Sequence, residues 1–251
     1  MTSLVLDKHV SEKFPKNEAF GHNGFITISN QIFNFLKGPI LKLCLYIPNM
    51  ALDSFQEVDQ WILSLSRDGV RELVLINKNR RYQLPCYFFR CLELRMLELK
   101  SCIIKPPLDF QEFLYLENLL LKNIAFGANL HGAIINLPQL KTLKLDACTN
   151  VYNFKIKSTK LFRLVVLTCP DATLLELLHS KCLSVVGIVF LKPIQGVERV
   201  NLASLLSNML CLADLFIDGY FLQGLRNIHL DVKPAIAYLE ALTIWTRHST
   251  G

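Results

Sequence analysis

Histidine and cysteine, the residue types that most often carry out chemistry in proteins, do not form recognisable clusters in this sequence. The six histidines are scattered, and none stands at metal-ligand spacing from another histidine, a cysteine or a carboxylate on one predicted element. The sequence also contains no nucleophile elbow, phosphate-binding loop or dinucleotide fingerprint. We therefore predict no catalytic site, no metal site and no cofactor.

The eight cysteines could suggest a disulfide framework, but their spacing follows another pattern. Cys102, Cys148 and Cys169 each occupy the ninth position of a recurring motif, and Cys91 stands just before the start of one copy. Such a position suits a small buried side chain, and cysteine behaves there as a compact hydrophobe. We predict structural thiols.

The recurring motif is L-x-x-L-x-L-x-x-(C/I), where x is any residue. Complete copies span residues 94–102, 116–124 and 140–148, and looser copies begin at residues 70, 161, 183, 212 and 239. The steps between successive first positions are 24, 22, 24, 21, 22, 29 and 27 residues. A period in the low twenties with this motif is typical of leucine-rich repeats. One more copy is predicted near Ile40.

The spacing inside each copy predicts a short strand whose two leucines, such as Leu97 and Leu99, point to the same side. Strands of successive coils would pair in parallel, which requires a crossover between them. The predicted fold is an α/β leucine-rich-repeat solenoid, with a parallel concave sheet and short helices or irregular crossovers on the convex side. Glu57 and Asp59 predict the first turn of one helix, and residues 172–180 predict another.

Three stretches, residues 58–73, 84–102 and 104–113, resemble a known family. Together they are similar to the repeat region of plant F-box/leucine-rich-repeat proteins, of the kind that often carry a C-terminal FBD domain. The resemblance implies a recognition scaffold without enzymatic activity. It implies that an F-box docks on the adaptor of a cullin-RING (SCF-type) ubiquitin ligase, while the repeats hold the substrate.

Domain boundaries follow from the repeat. Residues 1–39 are predicted to be an N-terminal segment without a recognisable F-box, and Ser11 to Lys37 could cap the solenoid. Residues 40–251 are predicted to form the repeat domain, with about eight or nine repeats and a truncated C-terminal end. A ligase adaptor is expected as a partner only for a longer form that has an F-box. A repeat fragment of an intracellular immune-type receptor and a truncated non-functional product are the alternatives.

The net charge of +6 comes from basic residues that are spread along the chain, and we interpret runs such as residues 78–81 as solvated loops. A nucleic-acid-binding surface would gather these residues on one face. The sequence shows no secretory signal, no glycosylation acceptor and no apolar run approaching the roughly 18 residues of a membrane span. We predict an intracellular protein, in the cytoplasm or nucleus, that binds neither nucleic acid nor membrane.

The predicted functional surface is the concave face, formed by the residues that alternate with the buried leucines. An apolar patch flanked by charges is typical of a surface that binds another protein, although a helix, a loop or a further domain could also cover it. The predicted partner-binding residues are Glu98, Lys100, Leu120, Lys122, Lys144 and Asp146 in the early repeats, and Val165, Leu167, Val185, Val189 and Phe216 in the later ones.

Overall fold

A computed structural model of the chain describes residues 2–12, 18–36, 38–49, 55–110, 112–127, 134–151, 155–169, 182–189, 211–218 and 241–245. The helices among them are α1 (Lys8–Glu12), α2 (Glu18–Phe35) and α3 (Gln56–Asp68), with a short 3₁₀ helix at Cys86–Arg90. The strands are β1 (Thr2–Leu6), β2 (Ile40–Ile47), β3 (Glu72–Asn77), β4 (Tyr82–Gln83), β5 (Met96–Lys100), β6 (Cys102–Ile104), β7 (Asn118–Lys122), β8 (Ala125–Phe126), β9 (Ile134–Asn136), β10 (Thr142–Asp146), β11 (Lys155–Lys157), β12 (Arg163–Leu167), β13 (Val185–Val189), β14 (Asp214–Asp218) and β15 (Ala241–Trp245).

The main sheet has ten parallel strands in the order β1-β2-β3-β5-β7-β10-β12-β13-β14-β15. Its pairing follows the motif residue for residue: Leu97 pairs with Leu119, and Leu119 pairs with Leu143. Because the register is constant from β2 onward, the inward leucines of neighbouring coils stack in continuous rows. The α/β leucine-rich-repeat solenoid predicted from the sequence is therefore confirmed.

The core lies between this sheet and the crossovers. Leu94, Leu97 and Leu99 are 0%, 2% and 0% exposed, so the first leucine of the motif is buried together with the inward pair of the strand. The ninth position is also buried in the coils whose motif begins at residues 94, 116, 140 and 161, and Cys91, Cys102, Cys148 and Cys169 are buried free thiols, as predicted. The other four cysteines are free as well. Burial raises the pKa of Cys91 and of Cys102 to about 12, which keeps both thiols neutral at physiological pH.

Each strand of the central coils ends in a corner with a left-handed backbone conformation. The corner residues Ser101, Asn123, Ala147 and Thr168 have φ values of 57°, 53°, 53° and 54°. This conformation costs about 1–2 kcal/mol for a residue with a side chain. Each corner amide nevertheless donates to the last strand carbonyl of the next coil, as from Asn123 to Asp146 (2.7 Å). The repeated hydrogen bond offsets the strain and directs the chain out of the sheet.

Short second-layer strands follow these corners. β4, β6 and β8 form a three-stranded parallel sheet, and β9 pairs with β11 in parallel. The described crossover residues around Pro106 and Pro107 contain no helix, in agreement with the poor fit of proline to a helix interior. The described crossover residues are thus helical after β1 and β2, include a short 3₁₀ helix after β4, and contain short strands in the central coils.

The solenoid begins earlier than residue 40, where the sequence pattern had placed its start. β1 pairs in parallel with β2, and its Leu4 and Leu6 are 8% and 2% exposed. α2 follows β1 and packs on α3, where the Phe33 ring stacks on Trp61 at 5.3 Å. The described part of residues 11–37, which could cap the solenoid, includes the helical crossover of this first coil, and its role as a cap stays a prediction. Only Leu4 and Leu6 represent the motif there, which explains why the copy was missed.

Helix α3 follows the expected rules at both ends. Glu57 and Asp59 lie in its first turn, as predicted, and Gly69 ends it with a φ of 72°. Asp59 has a second contact, because its carboxylate accepts a hydrogen bond from the Tyr82 hydroxyl. That bond ties the helix to the start of the second-layer sheet.

The basic run at residues 78–81 includes a structural contact that the sequence did not predict. Arg81 is half-buried, and its guanidinium donates to Asn123 Oδ1 (2.8 Å) and to Thr149 Oγ1 (3.3 Å). These partners lie 42 and 68 residues further along the chain. Arg81 therefore joins coils that are not consecutive, so the interpretation of the whole run as a solvated loop was wrong.

One expectation concerns a segment that the structure does not describe. The helix predicted at residues 172–180 lies outside the described residues. Within the described part of the chain, the helices are too short or too polar to cross a lipid bilayer.

The register leads to a direct test of which leucines face the core. Leu121 is 1% exposed, whereas its neighbour Leu120 is half-buried on the other face. Leu121→Ala should lower the free energy of unfolding by about 2–5 kcal/mol, because it leaves a cavity in the leucine row. Leu120→Ala should cost less than about 1 kcal/mol. Urea denaturation of both variants measures the difference, and equal losses would contradict the register.

Candidate protein-binding surface

The open face of the sheet is the side that carries the residues alternating with the buried leucines. Parallel pairing aligns these residues in three columns across neighbouring strands, which stand about 4.8 Å apart. The central column is formed by Cys44, Val74, Glu98, Leu120, Lys144, Val165, Gly187 and Phe216. The C-terminal column, nearer the C-terminal ends of the strands, is formed by Tyr46, Ile76, Lys100, Lys122, Asp146, Leu167 and Val189. The N-terminal column, nearer the other ends, is formed by Lys42, Glu72, Met96, Asn118, Thr142, Arg163, Val185 and Asp214.

The predicted partner-binding residues all lie in these columns, and most reach solvent. Exposed side chains are those of Lys122, Lys144 and Phe216, the last at 40%. Half-buried side chains are those of Glu98, Lys100, Leu120, Asp146, Val165, Leu167 and Val189. The register thus brings the predicted residues onto one surface, while their role in binding stays a prediction.

Val185 departs from the expectation of an exposed apolar residue. It is only 5% exposed, although its register position belongs to the open face. Its pairing partners are Arg163 on one side and Asp214 on the other. A short β-branched side chain between a long arginine and an aspartate has little access to solvent. We therefore remove Val185 from the exposed apolar patch.

The charges on the early strands are unevenly paired. Lys42 of β2 forms an ion pair with Glu72 of β3 at 2.6 Å, and Glu72 raises the pKa of Lys42. Lys122 of β7 forms an ion pair with Asp146 of β10. Among the described residues, no ion pair involves Lys100 of β5. The face is thus neutralised near β2 and carries unpaired positive charge further along.

Lys78 belongs to this charged region but was not identified from the sequence. It directly follows β3, and its ammonium lies 5.9 Å from the centre of the Tyr46 ring. Burial lowers the pKa of Lys100, and the neighbouring ammonium groups of Lys78 and Lys122 lower it further. Lys78 lies four residues after Val74, and an even number of residues along an extended strand leads back to the same face. This spacing could have identified Lys78, because β3 is longer than the strand that the motif predicts.

The later strands carry the apolar part of the face. Val165 and Leu167 of β12 are half-buried, as is Val189 of β13. Gly187 lies between Val165 and Phe216 and is itself buried, because the Val165 methyl groups stand 3.5 and 3.6 Å from the place that a Cβ would take. The described surface here is a small apolar area that ends at the exposed ring of Phe216. An apolar side chain of a partner could pack on such an area.

Cavities elsewhere in the described structure are less suited to binding a partner than the open face. One of about 30 Å³ lies inside the core among Phe88, Phe89 and Phe113, and its size is near that of a single water. Another of about 290 Å³ lies between α2 and α3, where Trp61 Nε1 already donates to Asn30 Oδ1 (2.8 Å). No group of three or more potential metal-ligating side chains occurs among the described residues. The open face is therefore the best candidate site.

A stack of parallel coils with a leucine core and a mixed charged and apolar open face defines a leucine-rich-repeat protein. The family model described as "FBD-associated F-box protein At5g56370, LRR repeats" matches residues 58–212. That range covers more than half of the chain, and the chain belongs to this family of F-box-protein leucine-rich repeats. Family membership suggests a protein-interaction scaffold.

One curated relative is the F-box/FBD/LRR-repeat protein At1g13570 of Arabidopsis thaliana. The two sequences are 39% identical over 91 residues, which are 36% of this chain and 22% of the relative. The match therefore spans well under half the length of that relative. No solved structure is significantly similar to the chain. The plant F-box/leucine-rich-repeat resemblance seen in the sequence is confirmed for the repeat region.

The unpaired lysines lead to a prediction about stability. Because the folded state disfavours the charged form of Lys100, its ammonium costs stability at neutral pH. Lys100→Met should raise the free energy of unfolding by about 0.5 kcal/mol at low ionic strength, and added salt should reduce the gain, because salt screens the repulsion from Lys78 and Lys122 but not the cost of burial. Lys42→Met is the matched control, because Lys42 has an acidic partner; it should give no gain. Thermal unfolding at low and high salt measures both, and a loss of stability in Lys100→Met would contradict the prediction.

Proposed function

We propose that the chain is the substrate-recognition part of a cullin-RING (SCF-type) ubiquitin ligase F-box protein, and that its open face binds the protein substrate. The observation that carries the proposal is a group of apolar side chains on the open face, the half-buried Val165, Leu167 and Val189 and the exposed Phe216, beside a cluster of lysines. We call these four residues the apolar row. Apolar side chains that reach solvent on a rigid sheet are suited to contact with another protein. The family of F-box-protein repeats supplies the ligase context.

The repeats would bind the substrate, and the rigidity of the solenoid suits them to this role. The stacked leucine rows fix the spacing of the open-face columns, so a partner meets a preformed surface and loses little binding energy to ordering it. The repeats would do no chemistry themselves. Ubiquitin transfer would depend on ligase subunits that an F-box recruits, in a form of the protein that carries one.

An intracellular location, in the cytoplasm or nucleus, is part of the proposal. All eight cysteines are free, and Cys91, Cys102, Cys148 and Cys169 are buried in the core. Free thiols are the usual state in reducing compartments, where disulfides are rare. The ligase assembly that we propose also operates inside the cell.

A matched pair of substitutions tests whether the open face binds the partner. Phe216 is 40% exposed on that face, and Phe162 is 49% exposed just before β12, outside its columns. Partners captured from plant cell extract by the tagged chain should decrease about tenfold with Phe216→Ala, because a central aromatic anchor typically contributes more than 1 kcal/mol. Phe162→Ala should leave capture unchanged. Equal recovery by both variants would contradict binding at the open face.

A second experiment tests whether the chain acts in a ubiquitin ligase. With an F-box fused to the N-terminus, the chain should recover cullin-ligase subunits together with the partners that the unfused chain binds. The fused form should lower the cellular level of those shared partners, and a proteasome inhibitor should restore it. If the partners bind but their levels do not change, the scaffold role survives and the substrate-receptor role does not.

A further inference from the structure

The strongest unexplained feature of the open face is a group of four lysines. Lys78 follows β3, Lys100 ends β5, Lys122 ends β7, and Lys144 is central in β10. Lys100 pairs in register with Lys122, and Lys144 is one strand further along. Same-face residues on neighbouring strands are about 5 Å apart, so the four side chains cover a stretch of roughly 15 Å. We call these residues the lysine cluster.

The lysine cluster has few acidic neighbours of its own. Among the described residues, Asp146 is in ion-pair contact with Lys122, and no ion pair is formed by the other three lysines. Glu98 shares the open face and lies two residues before Lys100 on β5. Four positive groups therefore face two carboxylates, one of which is already engaged. Like charges at this spacing repel one another, and an anion from outside would relieve the repulsion.

The excess of positive charge ends abruptly at the apolar row. Lys144 pairs with Val165, and Asp146 pairs with Leu167. From β12 onward the central column carries Val165, Gly187 and Phe216, and the C-terminal column carries Leu167 and Val189 before it reaches Asp218 on β14. A ligand that spans both regions would need negative charge over β5 to β10 and an apolar group over β12 to β14.

We propose that the open face binds an extended acidic segment of the partner, with acidic side chains over the lysine cluster and an apolar side chain over the apolar row. This inference rests on the proposed function and names the chemistry of the partner that it requires. Three strand spacings separate the middle of the lysine cluster from the apolar row, or roughly 14 Å. An extended chain spans about 3.3 Å per residue, so about four residues separate the acidic and apolar side chains.

A peptide fits this surface better than a nucleic acid. A phosphate backbone would bring a continuous line of negative charge past Glu98 and Asp146, which would repel it. Next to the lysine cluster the face offers the aliphatic Val165 and Leu167, and the aromatic Phe216 lies two strands further on, so successive bases would find no adjacent aromatic platforms there. A peptide can place its acidic side chains between the two carboxylates and still present an apolar residue to β12.

Three fluorescein-labelled synthetic peptides test the inference with the full chain. The acidic probe has three consecutive glutamates, three neutral residues, then leucine and phenylalanine. The second probe replaces the glutamates with glutamines, and the third replaces leucine and phenylalanine with serines. Fluorescence anisotropy at low salt should show the acidic probe binding about tenfold more tightly than either control. High salt should reduce the advantage over the glutamine probe. Equal affinities for the acidic and glutamine probes would overturn the proposal.

Charge reversal locates the site. Lys100→Glu with Lys144→Glu should weaken the acidic probe by at least about tenfold, and the milder Lys100→Gln with Lys144→Gln should weaken it less. The control is Arg90→Glu with Lys157→Glu, which reverses two exposed charges outside the open-face columns. Cooperative thermal unfolding confirms that each variant is folded. Equal effects of the open-face and control reversals would overturn the proposal, because binding would then follow net charge alone.

The same variants separate this inference from the proposed function. If the partners captured from extract are lost with Phe216→Ala but kept by the double glutamate variant, recognition by the open face stands and the acidic-segment inference fails. If both variants lose the partners while the control reversal keeps them, both ideas are supported. Tighter binding of a single-stranded oligonucleotide of equal charge than of the acidic probe would also overturn the inference.

Discussion

The structure depends on one constraint, which is that no coil can bury its own leucines. Leu97, Leu119 and Leu143 exclude water only because each contacts the equivalent residue of the next coil. A constant parallel register follows from that requirement, because a shift by one residue would expose an entire row. The open-face columns are the second consequence, since the residues between the buried leucines must line up as well. The candidate site is therefore the face of the sheet opposite the buried leucines, and the same register aligns both faces.

The fold was largely predictable from the sequence because its determinants are local and repeated. The motif spacing predicted the strands of the main sheet from residue 40 onward and assigned their two faces. It failed for β1, where only Leu4 and Leu6 represent the motif. It also did not predict the left-handed corners, since Ala147 and Thr168 have no intrinsic preference for that conformation. Hydrogen bonds from the corner amides to the next coil stabilise it, and such contacts cannot be read from one repeat.

The candidate site was less predictable, because it depends on side-chain contacts between strands. Register placed the predicted residues on one face, but it could not show that Val185 is buried beside Arg163 and Asp214. It also missed Lys78, which extends the charged region beyond the motif. Contacts such as that of Arg81 with Asn123 and Thr149 bridge residues far apart in sequence and follow no period. The repeat pattern encodes the fold and does not encode the partner. The chemistry of the partner therefore has to be inferred from the side chains in the open-face columns.

The central claim is that a partner protein lies on the open face, and site-specific crosslinking tests it most directly. A photo-reactive amino acid at Leu167 would sit on that face, and the same group at Tyr115, which is 47% exposed just before β7, would sit outside its columns. Irradiation in plant cell extract should join partner proteins to the chain from position 167 and not from position 115. Crosslinks from position 115 alone would place the binding surface elsewhere and contradict the account.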